Sequence, residues 1–104
     1  MRLLTPEVLA LLPPMRAQED SSDAIAHVKF FTPDAAATWW ATEYDPKHRT
    51  FFGFVTLGDH EMAELGYFTL DELEALLGPM GLHVERDKSF KPTPLSEIRK
   101  SLGN

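Results

Sequence analysis

The 104-residue sequence contains no cysteine, which excludes a disulfide framework, a thiolate metal site and a thiol nucleophile. It has no apolar run of the about 18 residues that a membrane-spanning helix requires. The short apolar start, with Arg2 as its one base and Pro13-Pro14 at its end, is followed by no small-residue cleavage site. A cytoplasmic protein is expected. Gly53, Gly58, Gly66, Gly78 and Gly81 fall at turns or in strands without the spacing of a phosphate-cradling loop. No internal repeat or low-complexity segment is present, and 43% apolar content is too high for a disordered chain. One domain over residues 1–104 is expected.

Another absence is local. Between Arg49 and Arg86 lie 36 residues without a single lysine or arginine, while Asp59, Glu61, Glu64, Asp71, Glu72, Glu74 and Glu85 give that stretch a charge of −7. From Arg86 onward the charge is +3, and the whole chain carries −6. This arrangement argues against direct nucleic-acid binding, which needs a contiguous positive surface to release counterions. It suits a basic partner, because complementary potentials steer encounter; an acidic, solvated face that keeps the chain soluble is the plainer alternative.

What is present specifies an α+β fold: an antiparallel sheet of four to five strands with two to three short helices packed on it. Thr5-Pro6-Glu7 is a helix start, with Val8, Leu9, Leu11 and Leu12 as its apolar stripe. Residues 16 to 24 are polar and read as a surface loop, and Ala26 to Phe31 is β-like. Thr38 to Asp45 and Arg49 to Leu57, joined by Pro46-Lys47-His48, form a β-hairpin. Pairing Asp45 with Thr50 continues as Tyr44–Phe51, Glu43–Phe52, Thr42–Gly53, Ala41–Phe54, Trp40–Val55 and Trp39–Thr56, so both faces are aromatic. Either helices cover both faces, or one is left for a partner. A third strand runs from Ala63 to Phe68. The capping box Thr69-Leu70-Asp71-Glu72 then starts a helix that buries Leu70, Leu73, Leu76 and Leu77 and ends at Gly78-Pro79. Leu82 to Asp87 is a short edge strand whose alternating charges oppose edge-to-edge pairing, and Thr93-Pro94 starts a last helix through Leu95, Ile98 and Leu102.

Signals for chemistry are sparse. None of His27, His48, His60 and His83 stands three or four residues from another, and His48 and His60 occupy consecutive turns at opposite ends of the sheet, so no metal site and no cofactor are expected. Glu43 and Asp45 share a strand face and, with Lys29, could form a nuclease-like trio around Mg²⁺ or Mn²⁺. A plain structural role fits the same residues better: Asp45-Pro46 is common turn chemistry, and Glu43 near a strand end is expected to stay solvated. Trp39 and Trp40 point to opposite faces, so at least one belongs to the core and the plainer reading puts both there; the sharper alternative makes Trp39 an exposed ring that anchors a partner.

Several runs carry a resemblance together: Val28-Lys29-Phe30-Phe31-Thr32-Pro33, Ala41-Thr42-Glu43-Tyr44-Asp45-Pro46, Phe52-Gly53-Phe54-Val55, Glu64-Leu65-Gly66-Tyr67-Phe68-Thr69-Leu70-Asp71-Glu72-Leu73, and Gly78-Pro79-Met80-Gly81-Leu82 with Glu85-Arg86-Asp87. Over nearly the whole chain it resembles a family of small proteins known as a domain of unknown function. The resemblance implies accessory cargo of plasmids, integrative elements and phages, found near antirestriction and transfer genes. It implies no activity and no catalytic residue.

The expected function is therefore a non-enzymatic, partner-binding accessory protein, a monomer or weak homodimer with no membrane association. Its sharpest form is an inhibitor of a host defence complex, of the anti-CRISPR or antirestriction kind. There Asp59, Glu61, Glu64, Asp71, Glu72 and Glu74 would stand in for DNA phosphates in a basic groove, beside Trp39. The alternative is a metal-dependent hydrolase using Glu43, Asp45 and Lys29. A structural or chaperone-like subunit would instead present an exposed apolar patch.

Overall fold

The computed structural model describes residues 3–103, leaving Arg2 outside. Among the described residues the fold is α+β. Strands β2 (Val28–Phe31), β3 (Thr38–Asp45), β4 (Thr50–Thr56), β5 (Glu64–Thr69) and β6 (Glu85–Arg86) form one antiparallel sheet in the order β5-β4-β3-β2-β6. Strands β1 (Ile25–Ala26) and β7 (Thr93–Pro94) form a separate two-stranded ladder. The helices are α1 (Pro6–Leu9), α2 (Leu70–Ala75) and α3 (Leu95–Ser101), with a 3₁₀ turn at His60–Met62.

The central hairpin follows its expected register at Asp45–Thr50, Tyr44–Phe51 and Glu43–Phe52, and then departs from it. A bulge at Thr42 shifts the pairing by one, giving Ala41–Gly53, Trp40–Phe54, Trp39–Val55 and Thr38–Thr56. The Thr42 hydroxyl donates to the Phe52 carbonyl at 3.0 Å and holds the bulge. Gly53 permits it: a Cβ there would stand 1.9 Å from the Trp40 carbonyl oxygen. The shift moves Trp39 to the face of Tyr44 and Phe51, and Trp40 to that of Phe52 and Phe54.

Each tryptophan thereby enters a different core. On one face Trp39, Tyr44, Phe30, Phe51 and Phe68 are covered by Leu3, Val84 and, from α2, Leu70 and Leu73. Phe51 sits at the centre, its ring 4.6 Å from Tyr44, 5.1 Å from Phe68 and 5.3 Å from Phe30. On the other face Trp40 and Phe54 are covered by Ala26, Leu95 and Ile98. Helices thus cover both sides, but α3 supplies few apolar residues and leaves part of the second face open.

Two helical stripes are shorter than their sequence patterns. The α1 helix is a single turn capped by Thr5, and Leu9 and Leu11 are exposed while Val8 and Leu12 pack on the first core. In α2 the Thr69 hydroxyl accepts from the Glu72 N–H at 3.1 Å and donates to the Glu72 carboxylate at 3.0 Å. The helix nevertheless ends at Ala75, so Leu76 and Leu77 leave the buried stripe and are exposed. The turn that follows is tied down by Asp34, whose carboxylate accepts from the Met80 N–H at 2.8 Å.

Helix α3 takes its cap from elsewhere in the chain. Pro94, at the cap position, offers no side-chain acceptor. Asp23 accepts from the Ser96 N–H at 2.9 Å and from its hydroxyl at 2.6 Å, and these bonds hold its carboxyl below the ordinary aspartate range. A depressed carboxylate adds stability above the ordinary range that is lost as pH falls through its folded-state value. Asp23→Ala is therefore expected to lower the melting temperature near pH 7. In melts run across acidic pH, the gap between the two proteins should close once the carboxylate is protonated.

Candidate binding surface

The open part of the second sheet face is a groove of about 820 Å³. Its floor is Thr42, Phe52, Leu65 and Tyr67; one wall is the 15–24 segment and the other is α3 with Leu95, Ser96 and Arg99. Phe52 is half-buried, whereas Leu65 is 45% and Tyr67 70% exposed. The Phe52 and Tyr67 rings meet at 4.9 Å, which fixes the floor as one aromatic surface. Arg99 lies over the Phe54 ring, 4.6 Å from its centroid, and marks where α3 stops covering the sheet.

The wall at 15–24, expected as a surface loop, is pinned to β3. Glu43 is 4% exposed and its two oxygens accept the Arg16 N–H at 2.9 Å and the Gln18 N–H at 2.7 Å. The Gln18 amide donates at 2.9 Å to the carbonyls of Thr42 and Ile25 and accepts from the Ile25 N–H at 2.6 Å. The Pro13 carbonyl accepts from the Tyr44 N–H at 3.0 Å. Beyond the point where β2 stops pairing, this segment thus satisfies the outer side of β3. Arg16 adopts φ 72°, a left-handed conformation that an ordinary residue reaches only under constraint. The Glu43 carboxylate supplies that constraint. The Arg16 guanidinium pairs with Glu19 at 2.9 Å, which raises its proton affinity, with the Tyr67 phenol contributing last.

The sequence-predicted residues fall in several places. Trp39 is 6% exposed inside the first core and presents no ring to a partner, because the bulge turned it inward. Asp59, Glu61 and Glu64 lie at the start of β5, and Asp71, Glu72 and Glu74 beyond its end. Five strand steps separate Glu64 from Thr69, about 17 Å, so the acids form two clusters rather than one sheet-wide surface. Arg49 donates to Asp71 and to Glu74, both at 3.0 Å, and Asp71 raises its proton affinity. Asp59 accepts from the Glu61 N–H.

The nuclease-like trio does not assemble. Glu43 is saturated by backbone donors. Asp45 accepts from the Lys47 N–H at 3.0 Å and lies 2.6 Å from His48 Nδ1, a contact that lowers its pKa. Lys29 pairs across to Trp40 rather than Glu43 and lies 3.8 Å from Asp87. Among the described residues, no group of three or more histidines and carboxylates is placed to hold a metal.

Leu65, Tyr67 and Phe52 are the floor residues that sequence reasoning missed. The available signal was Leu65 and Tyr67 at alternate positions of a strand that follows the aromatic hairpin, with only three apolar residues in the last helix to cover them; the structure pairs Phe52 with Tyr67 and Phe54 with Leu65.

A family model described as "Protein of unknown function (DUF2958)" matches residues 3–101. The chain belongs to this family. No curated protein sequence and no solved structure matches it. Among the described residues of this DUF2958 protein, no helix is long and apolar enough to cross a membrane.

Proposed function

We propose that this DUF2958 protein is a non-enzymatic binding module whose contact surface is the uncovered sheet face at Phe52, Leu65 and Tyr67. The observation that carries this is the exposure of Leu65 and Tyr67 on a strand that pairs with β4 along its whole length without a register shift. Large amphipathic rings on a rigid floor are the side chains that dominate protein interfaces. The acids at the two ends of β5 add charge selectivity rather than mimicking a DNA backbone, because they are split and Arg49 neutralises part of one cluster. In the mobile-DNA setting that the family resemblance implies, the partner would be a basic component of a host defence complex, and binding would inhibit it.

Capture from a host extract tests this, with wild type and the double variant Leu65→Lys/Tyr67→Lys compared at low and high salt. Both positions are exposed, so the variant is expected to melt within about 3 °C of wild type. A specific partner retained by wild type and lost with the variant is the expected result. The same proteins recovered with both would remove the floor from the account.

A further inference from the structure

Strand β5 is an edge of the main sheet, paired only with β4, so one side of its backbone has no strand partner. Exposed edges invite pairing, and proteins blunt them with charged side chains, lysine above all, or with proline, bulges or brevity. Apart from the single charge of Glu64 at its start, β5 has none of these. It is six residues long, pairs with β4 without a register shift and contains no lysine or proline. The opposite edge, β6, is two residues long, consists of Glu85 and Arg86, and is followed by Asp87 and Lys88. The two edges are therefore treated differently by the same chain.

We propose that β5 accepts an extended segment of a partner protein as an added strand, and that this segment carries basic residues at both ends of a short alternating apolar stretch; this rests on the partner-binding function above. Backbone N–H and C=O groups along the free side of β5 would supply the ladder. Alternate side chains of the incoming strand would lie beside Leu65 and Tyr67 and reach into the groove floored by Phe52. The ends are selected by charge. Asp59, Glu61 and Glu64 stand at one end of β5, and Asp71, Glu72 and Glu74, with Arg49, at the other. Six extended residues span the about 17 Å between them.

The same charges disfavour a second copy of this chain as the occupant. Two-fold antiparallel pairing of β5 with itself would bring Asp59, Glu61 and Glu64 of each copy against Asp71, Glu72 and Glu74 of the other. Like charges across an interface oppose association. A segment that is basic at both ends reverses that sign.

The probe is a library of random 12-residue peptides displayed on phage, selected on wild type and depleted on Leu65→Lys/Tyr67→Lys. Selected sequences should carry lysine or arginine on both sides of four to six alternating residues. Their affinity should fall several-fold between low and high salt. The tightest peptide is then synthesised with N-methyl groups on one alternate set of backbone nitrogens, or on the other. One set should lose at least about tenfold in affinity and the other less than about twofold, because only alternate N–H groups face β5.

Binding that needs Leu65 and Tyr67 but loses equally with both sets would overturn strand addition and leave the partner-binding function standing. Selected peptides without basic ends would overturn the charge selection. Failure to enrich any peptide would overturn recognition of a linear segment, while the extract capture still decides whether a partner binds this face. A ligand-free dimer by sedimentation, dissociated by Leu65→Lys/Tyr67→Lys, would show a second copy on the edge and overturn the proposal.

Discussion

Glu43→Ala is expected to destabilise the protein by about 2–4 kcal/mol, because it strands two N–H donors and releases the segment that walls the groove. The carboxylate is 4% exposed and is held at 2.9 and 2.7 Å by the Arg16 and Gln18 backbones. Hydrogen bonds to a charged acceptor contribute more than neutral ones, and both are lost at once. Arg16, at φ 72°, also loses the contact that offsets its backbone strain. Thermal melts should fall by on the order of 10 °C or more. Proteolysis should cut first within residues 16–24. Glu43→Gln keeps one acceptor and should lie between the two. A variant as stable as wild type, with the segment still protected, would mean that Glu43 does not hold the wall.

Gly53→Ala carries the second large effect, at least about 3 kcal/mol. The added Cβ would stand 1.9 Å from the Trp40 carbonyl oxygen and 3.0 Å from the Ala41 Cα, both backbone atoms, so no side chain can rotate away. Relief requires the bulge at Thr42 to move, and with it the assignment of Trp39 and Trp40 to opposite cores. Gly66→Ala is the control: nothing lies within 4 Å of a Cβ there. It should change stability by less than about 1 kcal/mol. Equal melting temperatures for the two variants would contradict the bulge geometry.

That bulge also explains how far the sequence could be read. The hairpin, its turn and its first three residue pairs follow from alternation and turn chemistry. The one-residue shift does not, because it depends on a Thr42 hydroxyl reaching a carbonyl across the ladder, a contact invisible in local pattern. Once the register slips, every face assignment beyond it reverses, which is why Trp39 is core and not an exposed ring. The 16–24 segment is the polar surface loop its composition indicates, but its attachment to β3 is not visible in local pattern. Its polarity signals a loop; that two of its backbone donors, the N–H groups of Arg16 and Gln18, are satisfied by Glu43, 27 residues from Arg16, is a long-range contact. Polar composition does not distinguish a solvated loop from one pinned by a buried carboxylate. Helix α2 was legible at its start, where Thr69 and Glu72 act locally. Its end was not, since Leu76 and Leu77 continue the apolar pattern after the helix has stopped. Of the binding surface, the acidic residues were legible as charges but not as two separate ends of one strand.

The central claim is that β5 is the edge on which a partner pairs. Residue-by-residue amide hydrogen exchange by NMR, with and without the tightest selected peptide, tests it most directly. Alternate amides of Glu64–Thr69 should gain protection on binding, and those of α2 and the 76–82 turn should not change. Protection confined to residues 15–24 and 95–99, with β5 exchanging as before, would place the partner in the groove alone and contradict strand pairing.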